Sequence, residues 1–251
     1  MDKQEFKAHE YQQWLTIPAP AKLNLMLHIT GRRPDGYHEL QTIFQFLDFG
    51  DELSYKIRTD DQLTLEPEIT GVKFEDNLII KAARSLQKHP RAKDKTLGAD
   101  IKLTKILPMG GGLGGGSSNA ATTMLALNKL WQLDLTLDEL ADIGVKLGAD
   151  VPVFIKGQAC WAEGVGEKIT PLPDLAENWF LVACPNAHSD TGEIFSHKEL
   201  TRDSEILNMR HALEGQAANN SRNDCQLVAS KLSPEIGKTL NLLNKFGSAK
   251  M

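Results

Sequence analysis

Leu107-Pro108-Met109-Gly110-Gly111-Gly112-Leu113-Gly114-Gly115-Gly116-Ser117-Ser118-Asn119-Ala120-Ala121 is the stretch from which the rest of the chain is best read. Six of the seven residues from Gly110 to Gly116 are glycine. Glycine gives up more backbone freedom on folding than any other residue, so such a run belongs where bare amides must approach something closely, and phosphate oxygens are the natural partner. Residues 99–106 alternate Ile101 and Leu103 with Lys102 and Thr104, the period of a strand. Residues 117–131 repeat apolar side chains at helical spacing behind Ser117, Ser118 and Asn119, all favourable N-cap types. Strand, glycine loop and helix in that order bring free amides and the positive end of a helix dipole to one place, which makes an anion site.

Two familiar phosphate loops are excluded. A Walker A loop sets a lysine after its last glycine, whereas Ser117 follows Gly116. Gly110-x-Gly112-x-x-Gly115, with Asp134 further on, matches the dinucleotide fingerprint literally, but any glycine run does so. Pro108 and the lack of alternating strands and helices around the loop argue against that fold. A flexible linker is the plain alternative, opposed by the ordered elements expected on both sides.

The chain has 251 residues, enough for one large or two modest domains, with 28 basic against 33 acidic residues and a net charge of -5. No basic stripe marks a nucleic-acid or anionic-membrane partner. Cys160, Cys184 and Cys225 are odd in number and widely spaced, so neither a disulfide framework nor a zinc knuckle is encoded, and a reducing cytoplasm is expected. Residues 1–16 read as a polar, loosely docked extension without a secretory signal, and no run approaches the length of a membrane span.

Outward from the loop, Ala21 to Ile29 alternates as a strand that sets Lys22 and Asn24 on one face. A lysine there is either a solvated charge or part of a site. Arg33-Pro34-Asp35-Gly36 is a turn, and Tyr37 and His38 after it either open the next strand or present flat rings to a nucleobase. Residues 41–50 and 51–58 read as two strands about Asp48-Phe49-Gly50-Asp51, residues 62–66 as a third, and residues 77–89 as a helix capped by Asp76 or Asn77. Thr136 caps a helix ending at Gly148; Asp150 then precedes Val151-Pro152 in a stiff connection where it caps a turn or does chemistry. Strands are expected over 159–163, 168–170 and 179–184, with Pro171-Leu172-Pro173 as the domain boundary. Helices follow over 191–197, 205–213, 224–232 and 234–246.

Three stretches together, Pro20-Ala21-Lys22-Leu23-Asn24-Leu25, Leu107 to Asn119 and Gly148-Ala149-Asp150-Val151-Pro152, closely resemble the GHMP kinase superfamily. The run from Arg33 to Thr42 and the long glycine form resemble its members whose substrate carries a cytidyl group. The resemblance implies an α+β fold, with a ribosomal-protein-like N-terminal domain over 14–170 and a ferredoxin-like C-terminal domain over 171–251. It implies an ATP-dependent kinase for a small alcohol, with Lys22 and Asp150 as its catalytic pair. ATP would lie on Gly110, Gly111, Gly112, Leu113, Gly114, Gly115, Gly116, Ser117 and Ser118, with Asn77, Leu78, Lys105 and Met109 near the adenine. Tyr37, His38 and Phe195 would hold the cytosine, and Asn24 and Thr191 the remainder of the substrate. Magnesium accompanies ATP, with Ser117 or Ser118 as its candidate protein ligand. A mevalonate- or homoserine-type kinase and a non-catalytic ligand sensor are the rival readings within the fold. Members carry a third glycine-rich segment where Gly247-Ser248-Ala249-Lys250-Met251 stands, so the C-terminal domain is expected to be incomplete and the 251-residue form less stable and less active.

Overall fold

The computed structural model describes residues 13–185, 191–217 and 222–251, and most of the expected N-terminal extension lies outside them. The architecture is α+β. Two compact units are each assembled from non-consecutive segments. The first takes the described residues up to Ala21 with 48–107 and 114–156; the second takes 22–47, 108–113 and the described part of 157–251. Strands β1 (Leu15–Arg32) and β2 (His38–Arg58) supply a segment to both.

In the first unit the later part of β2 runs antiparallel to β4 (Gly98–Thr104), with Leu53 opposite Leu103 and Tyr55 opposite Ile101. Strand β3 (Leu63–Glu66) lies parallel on the other side of β4. Leu53, Tyr55, Ile101 and Leu103 all point inward because alternate residues of a strand share a face. The helical side holds α1 (Leu78–Gln87), α2 (Gly115–Leu130), α3 (Leu137–Gly144) and α4 (Val151–Lys156), with α2 packed on α1 and α4. Asn77 caps α1, its side-chain oxygen accepting from the Ile79 amide at 2.9 Å. Thr136 and Glu139 form a reciprocal capping box on α3.

In the second unit the early part of β2 pairs antiparallel with β5 (Cys160–Gly164), which pairs with β6 (Lys168–Pro171). Helices α5 (Thr191–Ser196), α6 (Met209–Ala217), α7 (Gln226–Leu232) and α8 (Pro234–Leu243) follow. One core cluster joins Leu25, Met26, Ile43, Trp161, Leu172 and Ala212, and another joins Ile29, Ile194, Leu200, Cys225, Val228 and Ala229.

The structure departs from the sequence reading at several points. Residues 41–58 form part of one strand, not two about a turn. Gly50 is there for close approach: a Cβ would stand 2.1 Å from the Ala19 carbonyl oxygen. Residues 179–184 form no strand; no ladder reaches them among the described residues, and Trp179 and Leu181 face solvent. Apolar alternation makes a strand only where another backbone offers its hydrogen bonds. The sixth helix begins at Met209 rather than Glu205. Helix α2 starts two residues before Ser117, capped by Gly114 at φ 73°, so Ser117, Ser118 and Asn119 lie inside its first turns instead of capping it.

Candidate active site

The glycine loop divides into positions with different physical demands. Gly110, Gly112 and Gly114 have φ between 71° and 73°, a left-handed backbone that costs other L-residues about 1–2 kcal/mol. Gly115 and Gly116 are helical but crowded. A Cβ on Gly115 would meet Leu107 and the Lys105 ammonium at 3.4 Å, and one on Gly116 would meet Leu78 Cδ1 at 3.3 Å. The first intrahelical bond of α2 runs from the Ser118 amide to the Gly114 carbonyl at 2.8 Å. The amides of Gly115, Gly116 and Ser117 therefore precede it, and no acceptor pairs with them among the described residues. That is the donor set expected of an anion site at a helix N-terminus.

A buried carboxylate holds both ends of this loop in the first unit. Asp51 Oδ1 accepts from the Ile106 and Leu107 amides at 2.7 and 2.8 Å, while Oδ2 accepts from Lys105 Nζ at 2.8 Å and Asn119 Nδ2 at 3.0 Å. Lys105 also donates to the Leu107 carbonyl. Burial pushes the Asp51 carboxyl up, but Lys105, the Leu107 and Ile106 amides and Asn119 outweigh it and hold it below the usual range. Residues 106–107 and 119 bracket the glycines, so one ionised side chain fixes where the loop leaves β4 and where it enters α2. The turn before α4 comes to the same helix: a Cβ on Gly148 would lie 3.5 Å from Ser117 Oγ. Asp150 stands two residues on, partly exposed, its carbonyl accepting from the Phe154 amide at 3.4 Å.

In the second unit the Lys22 amide donates to the Leu113 carbonyl at 3.0 Å, tying β1 to the first half of the loop. Lys22 is 6% exposed, with its Nζ 2.5 Å from Asn24 Oδ1 and 5.3 Å from the centre of the Phe44 ring. Asn24 donates in turn to Thr42 Oγ1 at 2.8 Å, and Thr42 to the Met26 carbonyl at 2.6 Å. The lysine is thus a built-in charge, not a solvated one.

Gly36, at φ 92°, closes the turn after β1, and Asp35 accepts from the Tyr37 amide at 3.1 Å. Tyr37 is 66% exposed, whereas His38 is 7% exposed. The His38 and Phe195 rings lie 5.2 Å apart, tilted by 52°. Arg202 donates through Nε to His38 Nε2 at 3.0 Å. Thr191 opens α5 and is exposed.

Of the expected site residues, Asn77, Leu78, Lys105, Gly114, Gly115, Gly116, Ser117, Ser118 and Asp150 belong to the first unit. Lys22, Asn24, Tyr37, His38, Met109, Gly110, Gly111, Gly112, Leu113, Thr191 and Phe195 belong to the second. Asn77 and Lys105 carry structural bonds, to α1 and to Asp51. Sequence reasoning missed Asp51 and Arg202. The strand period does point to Asp51, since it shares parity with inward-facing Leu53 and Tyr55. Arg202 had no local signal.

Among the described residues no three His, Cys, Asp or Glu side chains group to hold a metal ion. Magnesium takes one or two protein oxygens beside phosphate and water, so it needs no such cage. The Ser118 hydroxyl, fully buried in α2's first turns and without a hydrogen-bond partner, fits that sparse requirement.

Residues 77–158 match the family model for the N-terminal domain of GHMP kinases. The chain is 58% identical over 237 residues to a Pseudomonas putida (strain W619) protein named 4-diphosphocytidyl-2-C-methyl-D-erythritol kinase, covering 94% of this chain and 80% of that one. A protein of the same name from Pseudomonas syringae pv. syringae (strain B728a) is 56% identical, over 94% of this chain and 81% of its own. The crystal structure of a 4-(cytidine 5'-diphospho)-2C-methyl-D-erythritol kinase superposes with a TM-score of 0.76 at 30% identity, covering 94% of this chain and 86% of that one.

Proposed function

Because the chain belongs to the 4-diphosphocytidyl-2-C-methyl-D-erythritol kinases among the GHMP kinases, we propose that it transfers the γ-phosphoryl group of ATP to the 2-hydroxyl of 4-diphosphocytidyl-2-C-methyl-D-erythritol. The reaction serves non-mevalonate isoprenoid precursor biosynthesis, in the cytoplasm. The observation that carries this reading is 58% identity over 94% of the chain. The tilted His38 and Phe195 pair beside exposed Tyr37 favours a cytidyl substrate over mevalonate or homoserine. The two-domain division at 170/171 is part of the same proposal.

Phosphoryl transfer asks a protein mainly to align the alcohol with the γ-phosphate and to stabilise spreading negative charge. The unbonded amides of Gly115, Gly116 and Ser117 serve the phosphates. In the proposed site Asp150 takes the proton of the attacking hydroxyl, and Lys22, its ammonium already oriented by Asn24, stabilises charge on the transferring group. Ser118 or Ser117 would hold magnesium, which when bound would further neutralise the phosphates. Tyr37, His38 and Phe195 hold the base, and Asn24 and Thr191 position the remainder. In the same proposal Asn77, Leu78, Lys105 and Met109 lie near the adenine.

Coupled ADP-release assays with cytidylylated methylerythritol, mevalonate and homoserine test the proposal. Turnover with the first alone is expected. Turnover only with another alcohol would replace the substrate, and calorimetric binding of ATP and substrate without turnover would make the chain a sensor.

A further inference from the structure

Arg202 lies outside every motif, yet its guanidinium is among the most fully engaged groups of the second unit. Nε donates to His38 Nε2 at 3.0 Å, one terminal nitrogen donates to the Leu200 carbonyl at 3.1 Å, and the other to the carbonyls of Phe195 and His197 at 3.0 and 2.8 Å. Three carbonyls therefore hold the guanidinium in place while the fourth bond reaches across to β2.

The chemistry of that fourth bond is restrictive. Arginine carries only donors and does not deprotonate in proteins, so His38 Nε2 must present a lone pair. A neutral imidazole has one N–H, and here it must be on Nδ1; imidazolium, with a proton on both nitrogens, is incompatible with the bond. Burial, Arg202 and Arg32 all push the His38 pKa down, in the same sense, and these two arginines are the charged groups that bear on the ring. No hydrogen bond to Nδ1 is present among the described residues. The same arginine accepts no freedom in α5 either, since it grips the carbonyl of Phe195, whose ring packs against His38.

We propose that Arg202 is a positioning residue that locks His38 as the neutral Nδ1–H tautomer and so makes the base site a donor to a pyrimidine ring nitrogen. Cytosine offers an acceptor at N3, whereas uracil offers a competing N–H, so the lock selects cytidine over uridine. This rests on the cytidyl substrate of the proposed function and deepens it by naming what sets the choice.

The test uses the 251-residue chain with ¹⁵N-labelled histidine, the His38 signals being assigned by their absence from His38→Gln protein. At neutral pH the ligand-free chain is expected to show a protonated Nδ1 and an unprotonated Nε2. Calorimetry with CMP and UMP as probes then compares Arg202→Met and Arg202→Lys. The methionine is expected to release the tautomer and cut the preference for CMP over UMP about tenfold, the worth of one such hydrogen bond, with ATP affinity unchanged. The lysine, which keeps a donor, is expected to recover part of both. A protonated Nε2 in the parent chain overturns the assignment even where Arg202→Met fails to fold. An unchanged tautomer and CMP preference in Arg202→Met does the same. If the parent shows the expected tautomer and binds neither nucleotide, the proposed substrate falls and the Arg202 lock stands.

Discussion

Removal of the Asp51 carboxylate tests whether the phosphate loop is held from outside itself. Its side chain is wholly buried and accepts four hydrogen bonds, two from backbone amides and two from Lys105 and Asn119. In Asp51→Asn the retained oxygen still serves the amides of Ile106 and Leu107, but the new NH₂ faces two donors. Lys105, 25% exposed at its side chain, turns to water and Asn119 does not. Both bonds to Oδ2 are charge-assisted; that from Lys105 is partly replaced by water and that from Asn119 is lost, which together is worth about 2–4 kcal/mol. Asp51→Ala also strands the two amides and belongs with broken buried pairs, at about 3–5 kcal/mol. Urea unfolding of the three proteins at one m-value measures this, and ATP affinity measured alongside should fall in both variants as the ends of the loop loosen. The pH dependence has a definite sign. The folded pKa lies below the unfolded one, so the carboxylate's contribution is complete above the unfolded carboxylate range near pH 4 and is lost as pH falls through the folded value. The stability gap between parent and Asp51→Asn should therefore narrow on acidification. A gap below about 0.5 kcal/mol with unaltered ATP affinity would refute the reasoning, since that is the scatter of ordinary surface changes. A gap that widened from pH 5 to pH 3 would show the sign to be wrong.

Four other outcomes follow from the same geometry. Asp150→Asn is expected to lower kcat about 100-fold or more with ATP binding intact, as removal of a general base does, and retention of most turnover at saturating substrates would return Asp150 to a capping role. Lys22→Ala should lower kcat as well; unchanged turnover, measured in the same assay, would make its contact with Asn24 purely structural. Gly114→Ala should cost about 1–2 kcal/mol for a left-handed N-cap and raise the KM for ATP, which a urea midpoint equal to the parent's would contradict. Phe195→Ala and Tyr37→Ala should each weaken substrate binding by about 1–3 kcal/mol and spare ATP; calorimetry showing equal losses for both ligands would point to misfolding.

The parts of this fold legible in the sequence are those decided locally. The helix starts at Asn77 and Thr136 are side-chain chemistry within three residues, and the turn at Gly36 is a φ that only glycine takes easily. What escaped was decided at a distance. Gly50 reads as a turn residue but lies against Ala19, and residues 179–184 have a strand's composition but no ladder among the described residues. Asp51 sat in the inward register of its strand, a warning that a charge was being buried, while its partners lie more than fifty positions away. Arg202 meets His38 across 164 positions, and nothing in its own neighbourhood announces it. Lys22 and Asp150 are legible only through whole motifs, because neither residue's spacing alone favours chemistry over surface.

Strand β2 has a consequence for how the chain comes off the ribosome. Its two halves are completed at very different times. Arg58 pairs with Gly98, about 40 residues downstream, whereas Leu40 pairs with Gly164, about 120 residues downstream. At the usual 5–20 residues per second of synthesis, the later half meets β4 within roughly 2–8 seconds and the earlier half waits roughly 6–25 seconds for β5. During that interval the side of the strand that carries Thr42 and Phe44 is an open edge, with unpaired amides and carbonyls in a nascent chain. Such an edge is where strands of neighbouring chains add on. Crowded translation therefore exposes the segment that later carries His38 before its own partner exists.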